Sequence, residues 1–284
     1  MRDCVLVGFD GSDASRDAME WAVDEADLRG LRLEILTATA RPLFEAHIGQ
    51  GDTMLEDTVA KALDDVRYTA LRRRPDVRVT TRVSPDLPSG ALIAERSDVA
   101  LRVVGIRGRG ALPGSKVGSV AYQVAAHAPG PVAVIGGEPA DAPDEREVVV
   151  GVDGVRDAQV PLAAAYTEAR VRKARIRAVH TWRYPVAMAP GDMMFPVYDR
   201  AAAERDEARQ LAEALAGWKA DDPDQVYIDE VEHAGAVETL AARSAGADLL
   251  VVGARGRFGF PMLALGSIAH GVLHHARCPV LIAR

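Results

Sequence analysis

The chain has 284 residues, of which 48% are hydrophobic and 26% charged, with a net charge of −7. These proportions exclude a disordered chain, and the acidic balance supplies no general basic field for nucleic acid or an anionic membrane, so neither is expected as a partner. Two cysteines, Cys4 and Cys278, are too few for a disulfide framework. The apolar run Cys4–Phe9 is too short for a signal or a membrane span, which makes the cytoplasm the expected location.

The length is about twice that of a common domain, which suggests two domains of roughly 140 residues. Internal repetition makes the division specific. Val5-Leu6-Val7-Gly8-Phe9-Asp10-Gly11 returns as Val148-Val149-Val150-Gly151-Val152-Asp153-Gly154, an offset of 143, and Val103-Val104-Gly105-Ile106-Arg107-Gly108-Arg109 returns as Val251-Val252-Gly253-Ala254-Arg255-Gly256-Arg257, an offset of 148. The five extra residues fit best in the Pro-, Gly- and Met-rich segment 185–196. The first domain is expected over 1–136 and the second over 147–284. Residues 137–146, with two prolines and several acids, read as an exposed linker. Residues 1–142 hold 17 Lys+Arg against 21 Asp+Glu (−4), and 143–284 hold 17 against 20 (−3), so the halves are electrically alike.

In chain order, Cys4–Phe9 reads as a buried strand. A helix follows from about Ala14 to Arg29, with Ser12 or Asp13 as N-cap and Gly30 as its left-handed stop. Leu31, Leu33 and Ile35 mark a strand, Thr53–Arg74 a long helix halted by Pro75, Val77–Val83 a strand and Ser89–Arg96 a short helix. Val99–Val104 is a strand, Val117–His127 a helix and Val132–Ile135 a last strand. The second copy repeats this order from Val148 to Ile282. Alternating strands and helices at this spacing specify parallel βαβ units, hence an α/β chain of two repeated open five-stranded sheets. The final strand of each copy leaves edge groups that the equivalent strand of the other copy could satisfy, so the copies are expected to pack as an intramolecular pseudo-dimer.

In such sheets ligands sit beyond the carboxyl ends of the strands. The first strand ends in Asp10 (Asp153), and the fourth runs into Gly105-x-x-Gly108, nine residues, then Gly118-Ser119; the second copy has Gly253-x-x-Gly256, nine residues, then Gly266-Ser267. Glycines allow close backbone approach and positive φ, and Gly-Ser opening a helix offers free amides, a dipole end and a hydroxyl to one anion. A lone G-x-x-G would serve as turn glycines alone. Recurrence at identical spacing beside a strand-end Asp points to polyphosphate.

With Asp98-Val-Ala and Asp248-Leu-Leu before the strand, Gly-Ser-Val-Ala and Gly-Ser-Ile-Ala after the loop, and His127-Ala-Pro-Gly-Pro-Val and His275-Ala-Arg-Cys-Pro-Val before the last strand, both halves resemble universal stress protein domains. Their nucleotide signature, G-x2-G-x9-G-[ST], is intact twice. The resemblance implies a Rossmann-like, adenine nucleotide alpha hydrolase-like fold and one ATP per domain, with Mg2+ carried by the phosphates. By position, Asp10 and Asp153 would bond to the adenine or ribose side, Ala38 and Thr181 would meet the adenine, and Val104 and Val252 would line the pocket. Gly105, Gly108, Gly118 and Ser119, with Gly253, Gly256, Gly266 and Ser267, would hold ribose and phosphates, with Val120 and Ile268 just beyond. Ala38 is smaller than the Val common there, and Val155 stands where the first copy has Ser12, so unequal binding is anticipated.

Arg107, Arg109, Lys116, Arg255 and Arg257 either neutralise phosphate charge or are solvated loop cations. His270, His274 and Cys278 recur every four residues, but without an evident fourth ligand they read as helix-surface or core residues rather than a zinc site. Met188, Met193, Met194 and Phe195 form either a lid or loop packing. No P-loop, nucleophile elbow or zinc-protease motif is present, and no residue stands out as a general base, so efficient catalysis is not expected. The expected role is a stress-response sensor or switch linked to ATP, with an unknown regulatory protein partner and a homodimer of tandem chains. The alternatives are a scaffold with little ATP affinity and a slow ATPase.

Overall fold

The computed structural model describes residues 2–39, 52–94, 96–110, 114–136, 146–154, 158–183, 199–256 and 264–284. The Met-rich segment 185–196, most of the 137–146 linker, Val155 and Arg257 lie outside them. The chain divides into two compact units, residues 1–138 with 279–284, and residues 139–278.

The first copy supplies β1 (Cys4–Gly8), α1 (Asp13–Arg29), β2 (Arg32–Ala38), α2 (Asp52–Arg73), β3 (Val79–Ser84), α3 (Pro88–Ile93), β4 (Val99–Gly105), α4 (Ser119–His127) and β5 (Val132–Ile135). The second supplies β6 (Glu147–Val152), α5 (Gln159–Arg172), β7 (Arg175–Thr181), α6 (Arg200–Asp221), β8 (Tyr227–Glu232), α7 (Ala236–Arg243), β9 (Leu249–Gly253), α8 (Ser267–His275) and β10 (Val280–Ala283). Cys4 to Val7 are all buried, as are Val148 to Val150 and Leu249 to Val252. Successive strand residues point to opposite faces, so unbroken burial means that both faces of each sheet are covered.

In the first unit the strands run in the order β3-β2-β1-β4-β5-β10. The first five are parallel, and β10 lies antiparallel to β5 with Val280 opposite Val134 and Ile282 opposite Val132. The last residues of the chain thereby complete the sheet of the first unit. In the second unit the order is β9-β6-β7-β8, all parallel. In both, the order reverses at the first strand of the copy, which has the second strand on one side and the fourth on the other. This leaves a crevice at the carboxyl ends of these strands.

Local signals act as their chemistry dictates. The hydroxyl of Ser12 caps α1 by accepting the Ser15 amide, and Gly30 ends the helix at φ 63°, ψ 33°. At the corresponding end of α5 the same left-handed turn is made by Lys173, at φ 53°. The fourth helix begins at Ser119 rather than Val117. The amide of Gly118 donates to Ile106 O, which holds it outside the helical ladder.

Candidate functional site

Each unit carries a pocket at its crevice, of about 250 Å³ in the first and about 400 Å³ in the second. The first is lined by Asp10, Ala38, Val104, Gly105, Arg107, Gly108, Gly118, Ser119 and Val120, and the second by Asp153, Thr181, Val252, Gly253, Arg255, Gly256, Gly266, Ser267 and Ile268. The residues singled out from the sequence are therefore brought together, half in each copy. Unforeseen lining residues come from the second strand (β2, β7) and the short third helix (α3, α7) of each copy: Leu36, Pro88 and Leu92 in the first, Val179, Ala236 and Leu240 in the second. A signal for the leucines was present. A Cβ on Gly8 would lie 3.0 Å from Leu92, and one on Gly151 3.1 Å from Leu240, so glycine at the strand end makes room for the helix.

Of the two properties expected of the motif glycines, close backbone approach and positive φ, the structure shows the first and lacks the second. None of the six has a left-handed backbone; Gly11 and Gly154, immediately after the acids, do, at 79° and 70°. A Cβ on Gly108 would fall within 3.0 Å of Asp10 Oδ2, and one on Gly256 would lie 2.8 Å from Asp153 Oδ2. The second glycine of each motif thus lets the loop close onto the strand-end acid. Gly105 has a different reason, because its Cβ would run into the backbone of Ala14 in α1.

Asp10 fastens this arrangement. Its Oδ1 accepts from the Ser12 hydroxyl at 2.6 Å and the Ser12 amide at 2.9 Å, and its Oδ2 accepts the Arg109 amide at 2.9 Å. Burial raises the affinity of the carboxyl for a proton, but the hydrogen bonds from Ser12 and Arg109 outweigh it and hold Asp10 below its ordinary value. At the other end of the pocket, α4 and α8 have Gly118 and Gly266 as N-cap residues, which provide no side-chain cap. The capping amides themselves are used identically, Gly118 N to Ile106 O and Gly266 N to Ala254 O, both at 2.8 Å. First-turn amides and the positive dipole end are thereby left for an anion. Each crevice combines an apolar slot beside the second strand with an amide-rich end, the polarity of a nucleotide.

Arg107 and Arg255 are exposed and line the pockets. Arg109 instead lays its guanidinium against Gly11, and Lys116 is exposed outside the pocket lining. On α8 the rings of His270 and His274 lie 4.8 Å apart, while Cys278 is buried beyond the helix. Among the described residues no group of three or more His, Cys, Asp or Glu is arranged to hold a metal.

The universal stress protein family model matches residues 1–136 and again 145–284. The chain belongs to the universal stress protein family. It is 30% identical to universal stress protein Rv1996 of Mycobacterium tuberculosis over 305 residues, covering 99% of this chain and 94% of the relative. It is also 32% identical to universal stress protein Rv2623 of the same organism over 291 residues, covering 99% and 96%. The crystal structure of a universal stress protein from Archaeoglobus fulgidus shares the fold, with a TM-score of 0.71 at 18% identity over 100% of this chain and 99% of that one. As in these tandem relatives, the universal stress domain occurs twice. Among the described residues no helix is long and apolar enough to cross a membrane.

Proposed function

We propose that this universal stress protein binds ATP, one molecule per domain, and acts as a nucleotide-linked sensor or switch. Family membership makes it a stress-response protein. The observation that carries the nucleotide reading is the pairing, twice in one chain, of an uncapped helix N-terminus with an apolar slot and a strand-end Asp. The residues fit ATP. The base would lie against Ala38 and Leu92 in the first pocket and Thr181 and Leu240 in the second. The ribose would meet Asp10 or Asp153, and the phosphates would face the amides around Ser119 and Ser267, with Arg107 and Arg255 beside them. Mg2+ would arrive with the phosphates. Nucleotide would change the surface around the carboxyl ends of β4 and β9, which a partner would read.

The scaffold reading has one observation in its favour. Gly105 is needed to pack β4 on α1 whether or not nucleotide binds, so that part of the motif would persist without affinity. Acid release of nucleotide from the purified protein, followed by ATP titration in a calorimeter, separates the two. Bound adenine nucleotide, and binding lost in Gly108→Ala/Gly256→Ala, supports the proposal; no copurified nucleotide and no heat at millimolar ATP would overturn it.

A further inference from the structure

Arg102 lies in the middle of β4 with 1% of its surface exposed, in a strand otherwise built of apolar residues and glycine. Its Nε donates to Leu92 O at 2.7 Å, its Nη2 to Ala94 O at 3.1 Å and its Nη1 to Pro129 O at 3.4 Å. A buried charge is costly to desolvate, and it is retained where its hydrogen bonds hold something in place. Here that is the carboxyl end of α3, a helix of six residues with no side-chain cap, far below the length at which a helix persists by itself. The side chain of Leu92 lines the first pocket and packs against Gly8.

The second copy performs the same joining differently. Leu250 stands at the position of Arg102, and α7 is tied down by Ser244, whose hydroxyl donates to Ala241 O at 2.7 Å and accepts the Arg277 amide at 2.8 Å. The residue matching Arg277 in the first copy is Pro129, which has no N–H to give. Only a carbonyl is available at that turn, and a guanidinium can reach it together with the two helix-end carbonyls.

We propose that Arg102 is a positioning residue of the first nucleotide site: its buried guanidinium fixes α3, and through it the Leu92 wall that closes the apolar end of the pocket. The inference rests on the nucleotide reading of that pocket for its functional consequence. For its mechanical part it rests only on the three hydrogen bonds.

The test is made in the full chain carrying Gly256→Ala, so that only the first pocket is read. Arg102→Leu, the second copy's own residue, should weaken ATP and adenosine about tenfold while leaving tripolyphosphate, held at the α4 end, unchanged. Leu92→Ala should give the same pattern, and the double variant should lose no more than either single one. Unchanged adenosine affinity in either single variant, or losses that add, overturns the inference; should Arg102→Leu fail to fold, Leu92→Ala decides. If the parent chain binds no nucleotide, the reading of the pocket fails, and the mechanical part is judged by hydrogen exchange. Faster exchange of the Ala91 and Ala94 amides in Arg102→Leu supports it, and unchanged rates overturn it.

Discussion

The carboxylate of Asp10 accepts the backbone amide of Arg109 at 2.9 Å across 99 positions of sequence. This bond joins the end of β1 to the glycine loop after β4, and the Ser12 hydroxyl on the other carboxylate oxygen locks its geometry. Asp10→Asn keeps the shape but loses charge-assisted hydrogen bonds, each contributing about 1.5–3 kcal/mol. ATP affinity of the first site should fall about tenfold or more, with the second site as internal reference in the same calorimetric titration.

The two alanine substitutions closest in appearance should behave oppositely. A methyl at Gly108 collides with Asp10 Oδ2, whereas at Gly118 its nearest neighbours, Arg107 Cα and Ile106 O, lie at an ordinary 3.4 Å. Gly108→Ala should therefore abolish first-site binding, while Gly118→Ala, at an N-cap with ordinary φ, should change it less than about threefold. Equal losses would show that the glycine loop does not depend on closing against Asp10.

Acid should unfold the first unit through a cluster remote from the pocket. Arg96 donates to Glu34 at 2.6 and 3.0 Å and to Asp98 at 2.7 and 3.1 Å. The hydrogen bonds from Arg96 hold the Asp98 carboxyl down to about 2. Because the folded-state value is depressed, the stabilisation is complete above the ordinary value near 4 and is lost as pH falls toward about 2. Arg96→Met should cost about 2 kcal/mol at neutral pH and flatten the pH dependence between about 4 and 2, measured by urea unfolding.

Lys173 occupies the left-handed turn that glycine makes at the matching position of the first copy. Lys173→Gly removes the clash of Cβ with the following carbonyl and should raise stability by about 1 kcal/mol. An upward shift in Tm of the second unit checks it; a downward shift would mean that the Lys side chain contributes more than the strain costs.

Both thiols are buried, and desolvation pushes Cys4 up to about 11 and Cys278 up to about 12. Neither should react with a thiol reagent at pH 8 in the native state. Both should react at once in denaturant.

Much of this arrangement is legible in the residues themselves. Val5-Leu6-Val7 and Val251-Val252 announce doubly covered strands, Gly30 announces a helix stop, and the repeated glycine spacing marks both pockets. What the pattern does not carry is anything decided by tertiary contact. The six residues of α3 and the eight of α7 are too few to show a clear period, so the only hint of Leu92 and Leu240 is the glycine opposite each, Gly8 and Gly151. Arg102 sits in an apolar run where periodicity calls for a hydrophobe, and its acceptors are carbonyls, which every sequence has everywhere. The glycine spacing is compatible with both close approach and positive φ, and only the three-dimensional closeness of Asp10 and Gly108 shows why that glycine lacks a side chain.

The antiparallel pairing of Val134 with Val280 bears on how the protein is made. Nearly all of the second copy is synthesised between the two residues. During synthesis β5 therefore waits without its antiparallel neighbour until β10 has been made, and late, long-range pairing of this kind is slow. Losing β10, to a stalled ribosome or to proteolysis before Pro279, therefore strips β5, a strand of the first copy, of its antiparallel neighbour.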